Sequence, residues 1–61
     1  MNKKDYIKFA EAINIELSTA KESAKVTRVL LNLRNSIADI FANDNPLFDR
    51  EQFYQACEPE R

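Results

Sequence analysis

The chain contains no glycine and no histidine among its 61 residues, and it has one cysteine and two prolines. Without histidine there is no imidazole base and no Ser-His or Cys-His nucleophile pair. Without glycine there is no Gly-rich loop to cradle a phosphate. The single cysteine, Cys57, excludes an internal disulfide and, with no histidine, a Cys/His zinc site within one chain. We therefore expect a protein that is not an enzyme and that uses no metal and no cofactor.

Long apolar runs are also missing. No segment approaches the roughly 20 apolar residues that span a bilayer. The first residues include lysines but no extended apolar stretch and no small-residue cleavage site, so they do not resemble a signal peptide. We expect no membrane partner and a reducing, cytoplasmic compartment.

The short length implies one domain, residues 1–61, which buries only a modest fraction of its surface and is marginally stable by itself. Small domains usually depend on disulfides, a metal or a second chain. Since the first two are excluded within one chain, we expect a homo-oligomer, a dimer or a larger assembly.

The absence of glycine, together with frequent Ala, Leu, Glu and Lys, is typical of an all-α protein. Apolar residues recur at helical spacing and predict helices over about 3–17, 20–43 and 50–58. We expect a small bundle of three helices, two longer antiparallel ones and a short C-terminal one, completed by oligomerisation. An alternative is that the first two helices are continuous, because residues 18–25 contain no helix breaker.

Several residues mark expected helix ends. Asn2 is a candidate N-cap of the first helix, and Thr19 with Glu22 has the spacing of a capping box for the second. Asn43 is a candidate left-handed residue at the end of that helix. Asp49 is the expected N-cap of the third helix, with Phe48 before it and Phe53 inside it placed to form a hydrophobic staple.

The second helix carries two apolar faces. The stronger one is expected to face the core, and it consists of Val26, Leu30, Leu33, Ile37 and Phe41, widened by Val29 and Ile40. The weaker one has smaller side chains: Ala20, Ala24, Thr27, Leu31 and Ala38. We expect an oligomer interface at Thr27, Leu31 and Ala38, with Ile15 of the first helix. The alternative is that these residues are only good helix formers.

A polar stripe on the second helix is the candidate ligand site. Lys21, Lys25 and Arg28 fall at i, i+4 and i+7, and Asn32 and Asn35 continue the stripe. Cations and amides on one face can bind phosphate groups, with Arg34 as a further candidate if an interface turns it inward. The alternative is an ordinary solvated helix face.

The charge distribution argues against nucleic acid as a partner. Residues 1–34 hold seven Lys or Arg and four Asp or Glu, whereas residues 35–61 hold two and six. The isoelectric point is about 5.3, whereas a nucleic-acid-binding protein typically has a basic surface patch and a high isoelectric point. The asymmetry also suggests that basic and acidic ends could meet in an antiparallel association.

Residues 37–57 carry a motif, roughly Ala-x-Asp-Asn-Pro-x-Phe-Asp-x-x-x-Phe-x-x-Ala-Cys, that resembles the C-terminal signature of short uncharacterised bacteriophage and prophage proteins. Glu58 stands where that family often continues with glycine. The motif residues here are Ala42, Asp44, Asn45, Pro46, Phe48, Asp49, Phe53, Ala56 and Cys57.

The resemblance implies a phage-encoded accessory protein that works in the cytoplasm of a bacterial host. A chain of this size is expected to act stoichiometrically by binding, and our first hypothesis is an inhibitor of a host defence or regulatory system. One alternative is sequestration of a small cyclic nucleotide signal in a pocket between subunits. The others are a nucleic-acid-binding protein and a structural protein of the virion or of lysis.

Overall fold

The computed structural model describes residues 2–59, which form three α-helices and no strand: α1 (Lys3–Thr19), α2 (Ala24–Asp44) and α3 (Arg50–Cys57). The all-α prediction is confirmed, and the first two helices are separate. The described chain measures 35 × 18 × 15 Å, so its length is close to that of the 21-residue helix α2.

Side-chain caps define the starts of α1 and α3 as predicted. The backbone N–H of Asp5 donates to the Asn2 side chain, and the Asn2 N–H donates back to the Asp5 carboxylate, both at 3.1 Å. The N–H of Gln52 donates to Asp49 Oδ1 at 3.1 Å. Each cap satisfies a backbone donor that has no partner inside the helix.

The start of α2 differs from the sequence-based expectation. Ser23 is the N-cap, since the Val26 N–H donates to Ser23 Oγ at 3.2 Å. Thr19 is instead the last residue of α1, and its hydroxyl donates to the carbonyl of Ile15. The predicted capping box at Thr19 is therefore wrong, and α2 begins four residues later than position 20.

The end of α2 is set by proline rather than by a left-handed residue. No residue of the described chain has a positive φ, so Asn43 does not end the helix in the predicted way. Asp44 is the last helical residue, and Asn45 is extended at φ −144° and ψ 109°. Because Pro46 follows, the helical conformation is disfavoured at Asn45.

An aromatic cluster centred on Phe41 joins the elements. The ring of Phe41 lies 4.7 Å from Tyr6, 5.3 Å from Phe9, 5.4 Å from Phe48 and 5.5 Å from Phe53, measured between centroids. Tyr6 lies near the start of α1 and Phe41 near the end of α2, so the two helices are antiparallel. Most of these pairs have the tilted or edge-to-face geometry that aromatic rings prefer.

The third helix packs mainly on α1 and closes one side of the hairpin. Asn14 Nδ2 donates to the carbonyls of Ala56 at 3.3 Å and Glu58 at 2.8 Å. On the other flank Arg50 Nη1 lies 2.6 Å from Asp39 Oδ1, although both side chains are well exposed. Exposed ion pairs contribute little, so packing and the Asn14 bonds hold α3 in place.

The orientation of α2 about its own axis differs from the predicted one, so a different set of its residues is buried. Phe41 is buried and Leu30 and Ile37 are partly buried, but the strongest apolar face is otherwise exposed. Ala38, from the weaker face, is fully buried instead, because its small side chain lets the neighbouring helices approach closely. The exposed fractions are Val26 47%, Val29 60%, Leu33 50% and Ile40 63%, and we call these four residues the outer stripe.

Replacing Asp49 by alanine removes the cap of α3, and we expect this to lower the free energy of unfolding by about 0.5–2 kcal/mol. Asp49→Asn is the matched control, because asparagine caps as well as aspartate and should change stability little. Chemical denaturation followed by circular dichroism measures both. An unfolding midpoint that is unchanged in Asp49→Ala would contradict the role of this cap.

Candidate functional site

The structure does not place all residues of the predicted basic stripe on one helix. Lys21 lies in the turn between α1 and α2, not on the helix. Lys25 and Arg28 are exposed on the first two turns of α2 and, with Ala24, line a shallow depression. Asn32 is exposed one turn further on. What remains on one helix face is a pair of cations and an amide.

Arg34, the further ligand candidate, is engaged within the chain. Its Nε and Nη2 donate to Asn35 Oδ1 at 3.2 and 2.9 Å. Its guanidinium carbon lies 4.2 Å from the centre of the Tyr54 ring, a cation–π contact between α2 and α3. The half-buried arginine therefore has a structural role, and it points toward α3 rather than toward Lys25 and Arg28.

The residues predicted for an oligomer interface are scattered. Ala38 is fully buried inside the chain and Leu31 is partly buried against the core. Thr27 is partly buried, and its hydroxyl donates to the carbonyl of Ala20 at 3.0 Å. Only Ile15 is well exposed, at 64%. The three residues of α2 thus face the chain's own helices, because α1 and α3 cover the side that the sequence analysis assigned to an oligomer interface.

A groove between α1 and α3 is an apolar concavity with a volume of about 340 Å³. Phe48 and Phe53 form part of its wall on the α3 side, and Ile7 forms part of it on α1. Lys3 and Asp49 place one charge of each sign on its lining. We call this concavity the α1–α3 groove.

Tyr6 also lines the groove. Its hydroxyl oxygen is buried and has no hydrogen-bond partner among the described residues. Most buried polar groups in proteins are paired, and an unpaired one costs about 1–3 kcal/mol. Tyr6, one of the residues that line the groove, therefore carries a buried polar atom without a hydrogen-bond partner among residues 2–59.

The outer stripe is the second apolar surface. Phe9 of α1 is a further half-exposed apolar side chain, and its ring packs on that of Phe41. The α2 residues that contact α3 are Arg34, Asp39 and Phe41. An α-helix turns by about 100° per residue. On this basis the mean direction of these three side chains lies roughly 120° around the axis of α2 from the mean direction of the outer stripe, so the stripe faces away from α3.

The surroundings of Cys57 make its thiol unreactive. The side chain is fully buried in the core, and burial raises the pKa of the Cys57 thiol to about 11 against a smaller lowering by the charge of Arg34. The thiolate is the reactive form, and it is scarce at neutral pH when the pKa is this high. The prediction that Cys57 is a small core residue agrees with this burial.

Residues 2–59 contain no group of three or more acidic, histidine or cysteine side chains placed to bind a metal ion. No helix in this range is both long and apolar enough to cross a membrane. Sequence reasoning missed the α1–α3 groove, because its walls come from segments about 40 residues apart and no local pattern pairs them.

Comparisons with known proteins give no relative from which a function could be inferred. No model of a protein family matches the chain, and searches of curated proteins and of solved structures find no significant match.

The raised pKa of Cys57 predicts a loss of stability at alkaline pH. Below pH 9 the thiol is protonated in both the folded and unfolded chain, but between pH 9 and about 11 only the unfolded chain ionises, so the free energy of unfolding falls. Comparison of wild type with Cys57→Ala by denaturation at several pH values isolates the contribution of this thiol. Parallel pH profiles for the two proteins would contradict it.

Proposed function

We propose that this chain is a non-enzymatic accessory protein of phage origin that acts by stoichiometric binding of a host protein. The α1–α3 groove is the observation that carries the proposal. It is an apolar concavity between two helices, at the lower end of the size range of ligand sites. Docking of an amphipathic helix into a groove of this kind is a common mode of peptide recognition.

The lining of the groove indicates what the partner presents. Its floor and walls are mostly aromatic and aliphatic, which suits one or two large apolar side chains of the partner helix. Lys3 and Asp49 could pair with charges that flank those side chains and fix the direction of the helix.

The likeness of residues 37–57 to the phage signature favours a host component as the partner. A bound host protein is inactivated if the contact covers its own working surface, and such occlusion needs no catalysis. We therefore infer an inhibitor of a host defence or regulatory system. The signature forms the turn and α3, so it supplies one wall of the groove, including Phe48 and Phe53.

Sequestration of a small nucleotide is the competing function, and it would depend on Lys25 and Arg28. Both line the depression at the start of α2, on a rigid helix. Arg34 is held by Tyr54 and Asn35 and would have to be released before it could contribute. The groove proposed for protein binding is therefore larger than the depression beside Lys25 and Arg28. The experiment below also tests binding of a nucleotide.

The test is capture of a host protein by the purified chain and by two variants that each add one negative charge. Ile7→Glu places the charge in the groove wall, and Leu47→Glu places it on an exposed turn as the matched control. We expect a host protein in a fixed molar ratio with wild type and Leu47→Glu, and an affinity at least about tenfold weaker with Ile7→Glu.

Two results would contradict the proposal. One is equal binding by Ile7→Glu and wild type, because the groove would then not be the contact surface. The other is calorimetric heat with a cyclic nucleotide that is lost in Arg28→Ala, which would assign the function to Lys25 and Arg28 instead. Circular dichroism of each variant confirms that the helices are intact.

A further inference from the structure

We propose that the α1–α3 groove continues past Ala56 to Glu11, and that it receives an amphipathic helix of the partner that places a basic side chain against Glu11. The inference rests on the proposed function, because it names the chemistry of the segment that the groove binds. It adds a charge requirement to the apolar contacts already described.

A second depression extends the groove along α1. It is lined by Glu11, Asn14 and Ile15 of α1 and by Ala56 of α3. Ala56 also lines the α1–α3 groove, so the two concavities adjoin along the same pair of helices. At a rise of about 1.5 Å per residue, the combined surface from Lys3 to Ile15 is about 18 Å long, which matches about three turns of a bound helix.

The two helices that form this surface are parallel. Tyr6, near the start of α1, contacts Phe48 just before α3, with ring centroids 4.9 Å apart. Asn14, later in α1, donates to the carbonyl of Ala56 near the end of α3. The residues of α2, all of which the structure describes, line neither the groove nor the second depression. A partner helix can therefore pack on the α1–α3 pair without displacing α2.

The two ends of the surface differ in charge. Lys3 is the cation among the described residues that line it, and Glu11 is the acid at the far end. Neither forms an ion pair with another described residue, although Lys8 lies one turn from Glu11. Asp49, at the Lys3 end, is bound as the cap of α3, since its carboxylate accepts the Gln52 N–H. The macrodipole of α3 adds to the difference, because α3 begins at the Lys3 end and ends beside Glu11.

This charge order defines the partner segment. Lys3 and Glu11 lie eight residues apart on α1, or about 12 Å. A helix with an acid and a base at the same separation, and large apolar side chains between them, can reach both charges while it packs on Ile7 and Phe53.

A second copy of this chain is a poorer occupant. Its α1 carries the same two charges in a self-complementary order, but that helix is flanked by its own α2 and α3 through the contacts of Phe41 and Asn14. A helix that enters a groove between two others needs open flanks, which a partner's single helix has. The oligomeric state is therefore measured as part of the test.

The first experiment uses the purified full chain and a designed peptide, so it needs no host protein. The probe is an alanine-based helix of about 15 residues, with glutamate and arginine eight residues apart and leucines on the same face between them. We expect it to shift the NMR amide signals of Ile7, Asn14 and Ala56. The same peptide with glutamate in place of arginine should bind at least about tenfold more weakly, and Glu11→Arg should reverse this preference.

Three results of this experiment would overturn the inference. They are equal affinity for the two peptides, no binding of either peptide, and signal shifts confined to α2. Sedimentation equilibrium of the chain alone adds a fourth, a dimer that dissociates in Glu11→Arg, because the surface would then belong to a second copy.

The second experiment uses the captured host protein. Glu11→Gln removes the charge with little change of shape, and Glu16→Gln, at an exposed position of α1 outside the surface, is the matched control. We expect an affinity about tenfold weaker and less dependent on salt with Glu11→Gln, and wild-type binding with Glu16→Gln. If Ile7→Glu weakens binding and Glu11→Gln does not, the proposed function stands and this inference fails. If Ile7→Glu binds as wild type does, the proposed function fails and the peptide result decides the inference.

Discussion

The contact of Phe41 with rings from α1, α3 and the connecting turn is the constraint on which the rest of this structure depends. The buried core is small, with Phe41 and Phe53 as its only two rings, so few other contacts can orient the helices. Because α1 and α3 both pack around Phe41 and the adjacent Ala38, α2 is fixed in one rotation. That rotation leaves the outer stripe facing solvent and places Arg34 over Tyr54.

The features that the sequence predicted correctly are local ones. The caps at Asn2 and Asp49 depend on a side chain and a backbone donor three residues away, and both are present. The prediction for the start of α2 was wrong because Thr19 and Ser23 can both act as N-caps. Only the packing of the hairpin selects between them. The prediction for the rotation of α2 about its axis was wrong for a related reason. Periodicity shows that the helix has two apolar faces, but it does not show which face the neighbouring helices cover.

The two candidate surfaces were less accessible to sequence reasoning than the helices. The α1–α3 groove joins Ile7 to Phe53, and no spacing rule relates residues so far apart. The outer stripe was visible as a pattern, but it was assigned to the core because most strong apolar stripes are buried. The groove is lined by α1, α3 and the turn before α3, whereas the stripe lies on α2, so the two surfaces are separate.

The central claim is that packing around Phe41 fixes α2 in one rotation, which buries Ala38 and leaves the outer stripe exposed to solvent. Methyl NMR spectra recorded with a soluble paramagnetic relaxation agent test this most directly. The account predicts that the methyl signals of the outer stripe broaden strongly, while those of Ala38 and of Ile13 in the core broaden little. Outer-stripe signals that are as protected as that of Ala38 would contradict it.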